Sequence, residues 1–273
     1  KFLDVGTGNA LIPQLLLKYS NITSAVGIDP YTENTDMSSW QPKNTSENLN
    51  QLFNFIDKKI SGKFEFEKYK NILSSESFSL IPPLVNINLQ TKKKKFRKVR
   101  LGAHEMAALK DTFDVIYCKA IEHIQNWDLV FDQISKVSKI GTIVYFKHRS
   151  FFSYLGPHRF SSTGIPWGHL LLTDNDYKNY AKQFHNSRSE EMIRFFFQNL
   201  TYPRKTLSSM TRIASKHRMY PLTTIIEKPK YYQKLLGSIK NIDGFWENIK
   251  KNYPDVSAEE VLSGICHLVF IKV

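Results

Sequence analysis

The feature that most constrains this chain is its opening. An apolar run, Phe2-Leu3-Asp4-Val5, passes through Gly6-Thr7-Gly8-Asn9-Ala10 straight into Leu11-Ile12-Pro13-Gln14-Leu15-Leu16-Leu17-Lys18-Tyr19. The pattern predicts a strand, a tight turn and a helix, with Pro13 in the first helical turn, where a missing N–H costs nothing. A second apolar strand, Ser24–Ile28, stops at Asp29-Pro30. Strand, glycine turn, helix, strand is the opening of a doubly wound α/β fold with a mostly parallel sheet. The turn offers free backbone N–H groups at the positive end of the helix. A dinucleotide-binding turn would want a third glycine at position 11, where this chain has Leu11, and has no particular use for a carboxylate at position 4. Asp4 therefore argues for a cationic ligand group near the turn, and Asp29 is placed to accept hydrogen bonds from ribose hydroxyls.

Further strands are expected at Val99–Leu101, Phe113–Cys118, Thr142–Phe146, Leu222–Ile226 and Gly264–Val273, making seven in a Rossmann-like sheet. Trp127, Val130, Phe131, Ile134 and Val137 fall on one face of a helix that should stop near Gly141. Leu207, Met210, Ile213 and Ala214 mark another helix, and Ser257 with Glu260 has capping-box spacing. Two stretches, at about residues 31–96 and 148–205, lack this alternation and read as insertions into a single domain spanning residues 1–273. The first contains a helix near Leu49–Lys59 and an apolar piece, Leu80–Leu89; the second reads as irregular.

Composition narrows the function classes. The chain has 273 residues, 41% hydrophobic, with 38 Lys+Arg against 25 Asp+Glu for a net charge of +13, which excludes disorder throughout and tilts the surface basic. No apolar run approaches the roughly 18 residues of a membrane span. The two cysteines, Cys118 and Cys266, sit in apolar strand segments and read as core thiols, which excludes a disulfide scaffold. Lys92, Lys93, Lys94, Lys95, Arg97, Lys98 and Arg100 form an acid-free run. It reads as a solvated linker, the alternative being contact with phosphate or with an anionic membrane or glycan surface. The chain begins inside a strand with no Met, so it reads as truncated at its N-terminus, and a cytoplasmic location is expected.

Leu3-Asp4-Val5-Gly6-Thr7-Gly8-Asn9-Ala10, Gly27-Ile28-Asp29, Phe113-Asp114-Val115-Ile116, Ile121-Glu122-His123-Ile124 and Lys139-Ile140-Gly141-Thr142, in this order, resemble the class I S-adenosylmethionine-dependent methyltransferases, most closely the subset acting on small molecules, lipids and sugars. The resemblance covers about residues 1–30 and 99–148, with a looser match for the terminal strands. It implies S-adenosylmethionine as cofactor. Asp4 would face the methionine amino group through water or backbone, Gly6 and Gly8 would line the methionine moiety, and Asp29 would clamp the ribose. Thr7, Pro30 and Cys118 would complete the cofactor contacts, with adenine near Ala103-His104-Glu105-Met106. The chain departs from the family pattern twice: Ala10 replaces the usual third glycine, and Ala103 stands where an acidic adenine contact is common, leaving His104 or Glu105 to serve.

The acceptor is expected to be a small molecule, glycan or lipid, methylated on oxygen. His148, His158 and His169 follow strand five, on the sheet edge where doubly wound folds open their sites, and an imidazole can take the proton of an acceptor hydroxyl. Gly and Pro neighbours make His158 and His169 the preferred catalytic pair, with Arg159 and Trp167 beside them. Glu122-His123 lacks further ligands at metal-binding spacing, so no metal is expected and His123 reads as a pocket wall. Two alternatives stand beside this reading: an RNA-directed methyltransferase using the 92–100 run, and a noncatalytic S-adenosylmethionine-binding module. Nucleic-acid methylation is weakly supported, since Cys118-Lys119-Ala120-Ile121 replaces the Asn/Asp-Pro-Pro-aromatic motif of adenine amino-methylating enzymes and there is no Pro-Cys nucleophile.

Overall fold

A computed structural model describes residues 1–8, 10–31, 94–158 and 160–273. Asn9, Arg159, Lys92, Lys93, the expected helix near Leu49–Lys59 and the Leu80–Leu89 piece lie outside these described residues. The chain forms two compact units, Lys1–Arg100 and Leu101–Val273.

The first unit holds β1 (Phe2–Val5), α1 (Leu11–Tyr19), β2 (Ser24–Asp29) and β3 (Lys95–Arg100). Its strands lie in the order β3-β2-β1, all parallel. Every residue of β1 is buried, which is why it reads as a continuous apolar run rather than an alternating one. The basic run is not a linker where it is described: Lys95, Arg97, Lys98 and Arg100 belong to β3, paired with β2 from Ser24↔Lys95 to Asp29↔Arg100. Lys94 has a structural task as well, its Nζ donating to the carbonyls of Leu17 (2.5 Å) and Ser20 (2.7 Å) at the end of α1. There a cation meets the negative end of the helix dipole.

The second unit contributes β4 (Phe113–Cys118), β5 (Ser138–His148), β6 (Met219–Ile226) and β7 (Cys266–Lys272), in the order β4-β5-β7-β6, with β7 running against the other three. Seven strands in all, mostly parallel and interleaved with helices, give the expected Rossmann-like α/β fold. Helix α2 (Trp127–Lys136) buries Trp127, Val130, Phe131 and Ile134 as their spacing requires. Phe131 meets Phe146 of β5 and Phe270 of β7 at ring distances of 5.4 and 6.1 Å. Each such ring contributes about 1.5–3 kcal/mol by burial.

Two boundaries differ from expectation. Helix α2 ends at Lys136, and Gly141 (φ 87) lies inside β5, in a bulge where the register jumps from Phe113↔Ser138 to Val115↔Ile143. Thr142 Oγ1 donates to the Phe113 carbonyl (2.6 Å) and closes the bulge. At its other end β5 runs on to His148, so Lys147 and His148 are strand residues.

The stretch after β5 is largely helical rather than irregular: α3 (Gly168–Leu171), α4 (Asp174–His185) and α5 (Ser189–Gln198) precede α6 (Leu207–Lys216). Further helices, α7 (Tyr232–Ile239), α8 (Phe245–Asn252) and α9 (Ala258–Val261), share one apolar core with α3, α4 and α5, including Trp167, Tyr177, Phe196, Leu235 and Phe245. Ser257 caps α9 as its spacing predicts, accepting the Glu260 N–H at 3.1 Å. The Glu260 carboxylate turns elsewhere, accepting from Ser150 Oγ (2.5 Å) and from the Leu207 N–H that opens α6 (3.1 Å). No described helix is long and apolar enough to cross a membrane.

Ala10, in the position of the missing third glycine, precedes α1 in a left-handed conformation, φ 59 and ψ 31. A β-carbon is disfavoured there by roughly 1–2 kcal/mol, partly offset by the greater unfolded-state freedom of glycine. Ala10→Gly is therefore expected to stabilise the protein by about 0.5–1 kcal/mol, read from the urea midpoint; a loss of stability would contradict the strained assignment.

Candidate functional site

In the first unit the glycine turn is strapped to the end of β2. The Gly6 and Thr7 N–H groups both donate to the Ile28 carbonyl, at 2.9 and 3.0 Å. The Gly8 N–H donates to Asp29 Oδ2 (2.9 Å) and the Tyr31 N–H to Asp29 Oδ1 (3.0 Å). The Asp29 carboxylate is thus held rigidly by two backbone donors while each oxygen keeps acceptor capacity for a further partner. Gly8 has φ +52, and a β-carbon there would meet nothing within 4 Å. Conformation rather than crowding demands glycine, and open space fronts the turn. At Gly27 a β-carbon would come within 2.7 Å of Thr7 Oγ1, so glycine on β2 leaves room for the Thr7 hydroxyl to donate to Asp4 Oδ2 at 2.7 Å.

Asp4 is 4% exposed and no cation among the described residues pairs with it. Burial pushes its carboxyl up to about 6, the Thr7 hydroxyl draws it down, and the Asp29 charge adds a further push upward. Asp4 meets the turn through Thr7, and a ligand cation nearby would favour its ionised form. These features fit the methionine and ribose parts of S-adenosylmethionine: a desolvated acid lacking a cation, an open glycine turn and a fixed carboxylate. Pro30 lies on the exposed rim, its carbonyl accepting from Arg100 Nε at 3.3 Å.

In the second unit, His104 and Glu105 lie on a 3₁₀ turn, Ala103–Leu109. His104 Nε2 donates to the Gln125 carbonyl at 2.6 Å, and Glu105 is exposed. Cys118 is buried at the last position of β4.

The most distinctive chemistry of this unit lies just beyond the carboxyl ends of β4 and β5. Glu122 follows β4 on the 3₁₀ turn Ile121–His123, and His148 ends β5. Glu122 Oε2 and His148 Nδ1 stand 3.6 Å apart, beyond hydrogen-bond distance, and both atoms, with His148 Nε2, are buried without a hydrogen-bond partner. His148 is only 2% exposed. The pair lines a narrow cavity with Trp127, Phe151, Pro157, Leu200, Thr201, Arg204 and Lys205. Burial pushes the Glu122 carboxyl up, but the His148 and His123 imidazoles beside it outweigh burial and hold it below the usual carboxylate range. Residues 199–202 fix the turn in place. The Thr201 N–H donates to the Glu122 carbonyl (2.8 Å), His123 Nδ1 to the Asn199 carbonyl (2.9 Å) and Gln125 Nε2 to the Leu200 carbonyl (2.9 Å).

The histidines favoured by sequence reasoning do not line this cavity. His169 is a packing residue: its Nε2 donates to the Phe151 carbonyl (2.7 Å), its ring lies against Gly156, and burial drives its pKa down to about 4. An imidazole that resists protonation this strongly is a poor proton acceptor near neutral pH. His158 stacks on Phe195 and Phe160 at ring distances of 4.6 and 4.9 Å, and its Nδ1 accepts the Phe160 N–H. Trp167 is wholly buried, donating to the Val261 carbonyl at 2.8 Å, so it presents no face to a ligand. His123 is tied to Asn199 and packs edge-on against His158 rather than walling the cavity. Of the described residues that the sequence points to for acceptor chemistry, His148 alone reaches the cavity, and Glu122, which the sequence marks only as part of a Glu-His dipeptide, joins it there. Among the described residues no group of three or more His, Cys, Asp or Glu side chains is arranged to hold a metal.

The model of the methyltransferase-domain family matches residues 1–200 of this chain. A search of curated protein sequences returns no match. Structural comparison aligns the chain with the cyclopropane synthase MmaA2 from Mycobacterium tuberculosis at 12% identity, covering 99% of this chain and 77% of that one, with a TM-score of 0.47. It also aligns with geranyl diphosphate C-methyltransferase from Streptomyces coelicolor at 10% identity, covering 100% and 71%, with a TM-score of 0.42. The family model alone carries the assignment: the chain belongs to the methyltransferase-domain family and is an S-adenosylmethionine-dependent methyltransferase.

Proposed function

We propose that this enzyme methylates an oxygen atom of a small-molecule, sugar or glycan, or lipid acceptor, and that Glu122 and His148 receive the acceptor hydroxyl. The supporting observation is the buried pair itself, a carboxylate oxygen and both nitrogens of an imidazole lacking hydrogen-bond partners on the wall of one cavity. A hydroxyl reaching both would donate to the Glu122 carboxylate and accept from a His148 N–H, satisfying atoms whose burial is otherwise costly. When bound, S-adenosylmethionine supplies the methyl group on its sulfonium. Ionised Glu122 takes the hydroxyl proton as the acceptor oxygen bonds to the methyl carbon and the carbon–sulfur bond breaks, its electron pair returning to sulfur, while a His148 N–H holds the acceptor oxygen in place. His158 and His169 take no part in this proposal.

Donor contacts are assigned in the first unit to Asp4, Gly6, Thr7, Gly8, Asp29 and Pro30, on the fit described above. His104, Glu105 and Cys118 are assigned on the family resemblance. The chain is read as one methyltransferase domain carrying two substrate-side insertions, at about residues 31–96 and 148–205. The exposed cations Lys95, Arg97 and Arg100 of β3 give the RNA-directed alternative a surface, but nothing in the cavity calls for a base.

Glu122→Gln and His148→Asn are each expected to lower turnover on a verified acceptor by about 100-fold or more. Calorimetric affinity for S-adenosylhomocysteine should stay nearly unchanged; full activity in both variants would overturn the acceptor assignment.

Asp4 generates a second expectation. Its pKa of about 6 leaves it neutral below that pH, and only the ionised form attracts the ligand ammonium group. Affinity for S-adenosylhomocysteine should therefore rise about tenfold between pH 5 and pH 7.5 and then level off. Asp4→Asn should flatten the dependence; an unchanged slope in that variant would remove Asp4 from the cofactor site.

A further inference from the structure

Lys147 and His148 are consecutive at the carboxyl end of β5, so their side chains leave opposite faces of the sheet. The role given to His148 on one face leaves Lys147 unexplained on the other. Lys147 is 7% exposed, yet its ammonium makes no hydrogen bond or ion pair with any described residue. Its stem is covered by its neighbours while the ammonium keeps contact with solvent.

Sheet register gives this cation two companions. Tyr117↔Tyr145 and Cys118↔Phe146 are partners between β4 and β5, so the next step along both strands sets the exposed Lys119 beside Lys147 on the same face. The Tyr117 and Tyr145 rings, 5.3 Å apart, mark that face one step back. Arg149, two residues beyond Lys147 and half-buried, brings a third cation to the same end. Burial pushes the Lys147 pKa down, Lys119 pushes it the same way, Glu227 opposes them and Arg149 lowers it further. Like charges side by side on neighbouring strands are destabilising. On its other side Lys147 is partnered by His267 of β7. The Glu227 carboxylate is held there, accepting from His267 Nε2 at 2.7 Å, while His267 Nδ1 lies 2.7 Å from the Tyr145 hydroxyl. Among the described residues no carboxylate lies within ion-pair distance of Lys119, Lys147 or Arg149. Tyr145 and His267 are only half-buried, which leaves this face open to approach. Ligands of open α/β sheets sit beyond the carboxyl ends of the strands, where these cations stand.

We propose that Lys119, Lys147 and Arg149 bind a phosphate group at the carboxyl ends of β4 and β5, on the sheet face opposite His148. Three cations with no acid in contact match a doubly charged oxyanion better than a carboxylate, and the Arg149 fork can meet two of its oxygens. The site is built from its own residues and does not depend on the acceptor reading of Glu122 and His148.

The test is a titration of the full chain, labelled with carbon-13 at the lysine Cε atoms, with glycerol 3-phosphate at constant ionic strength and with S-adenosylhomocysteine present. The Lys147 signal is identified by its absence from Lys147→Arg. It should shift saturably, and its titration midpoint should rise, since a bound anion favours the charged ammonium. Acetate should bind at least five-fold more weakly than glycerol 3-phosphate. Lys119→Gln, a change at an exposed position, should weaken glycerol 3-phosphate at least five-fold, and Glu122→Gln should leave it unchanged. Co-sedimentation with phosphatidic acid vesicles, against phosphatidylcholine vesicles, separates the sources of the phosphate. Retention on the former that Lys119→Gln abolishes places it on a lipid headgroup, and binding of glycerol 3-phosphate alone places it on a soluble compound. No saturable shift of Lys147, equal binding of acetate, or affinity unaffected by Lys119→Gln would overturn the proposal.

Discussion

A buried carboxylate and a buried imidazole that stop just short of bonding each other are the constraint around which the second unit is arranged. Glu122 Oε2 and His148 Nδ1 are 3.6 Å apart, and neither has a hydrogen-bond partner. Leaving such atoms unpaired costs about 1–3 kcal/mol each, and a direct hydrogen bond would remove that cost with a shift of less than 1 Å. The surroundings oppose that shift. Glu122 is pinned through its carbonyl by Thr201, and His148 is the last residue of β5, paired in register with Cys266 of β7. Trp127 packs edge-on against the imidazole at 6.0 Å while its own N–H is spent on the Ile121 and Ile124 carbonyls. The frame thus preserves an arrangement that a third polar group would complete, and preorganisation of this kind is how a site places a reacting oxygen without reorganising during reaction.

The first unit solves a complementary problem with similar means. Its glycine turn needs left-handed backbone at Gly6, Gly8 and Ala10, and three hydrogen bonds to Ile28 and Asp29 hold that turn against the end of β2. Asp29 braces the backbone there, accepting from the Gly8 and Tyr31 N–H groups. Asp4 lies one layer deeper, reached through the Thr7 hydroxyl, which itself depends on the missing side chain at Gly27. On the proposed assignment, donor recognition in this unit is a matter of backbone shape and two carboxylates, and the charge run of β3 takes no part in it.

Much of this was legible in the sequence because local pattern and tertiary context agreed. β1, α1, β2 and β4 are marked by apolar runs with glycine or proline at their ends, and the buried face of α2 was readable from the spacing of Trp127, Val130, Phe131 and Ile134. Where the pattern was diluted, reading failed for identifiable reasons. Helix α4 buries only Tyr177 and Ala181 among otherwise polar residues, so its periodicity is faint. β3 places four basic residues, Lys95, Arg97, Lys98 and Arg100, on a strand exposed along much of its length, which by composition looks like a linker. Lys147 is 7% exposed and interrupts the apolar run of β5, hiding the fact that the strand continues to His148. The acceptor pair was the least readable element. Glu122 is buried by Thr201 and its neighbours, some 79 residues along the chain, and no local signal reports a contact of that range. Extending the alternation of β5 through Lys147, with Phe146 and His148 on the same face, would have pointed to His148 ahead of His158 and His169.

The most direct test of this account is a high-resolution crystal structure of the protein with S-adenosylhomocysteine bound, read at the Glu122–His148 pair. The account predicts an ordered oxygen, from water or from an added acceptor, within hydrogen-bond distance of both Glu122 Oε2 and an imidazole nitrogen of His148. Closure of the two side chains onto each other, with a direct bond of about 2.8 Å and no oxygen between them, would satisfy both groups internally and contradict it.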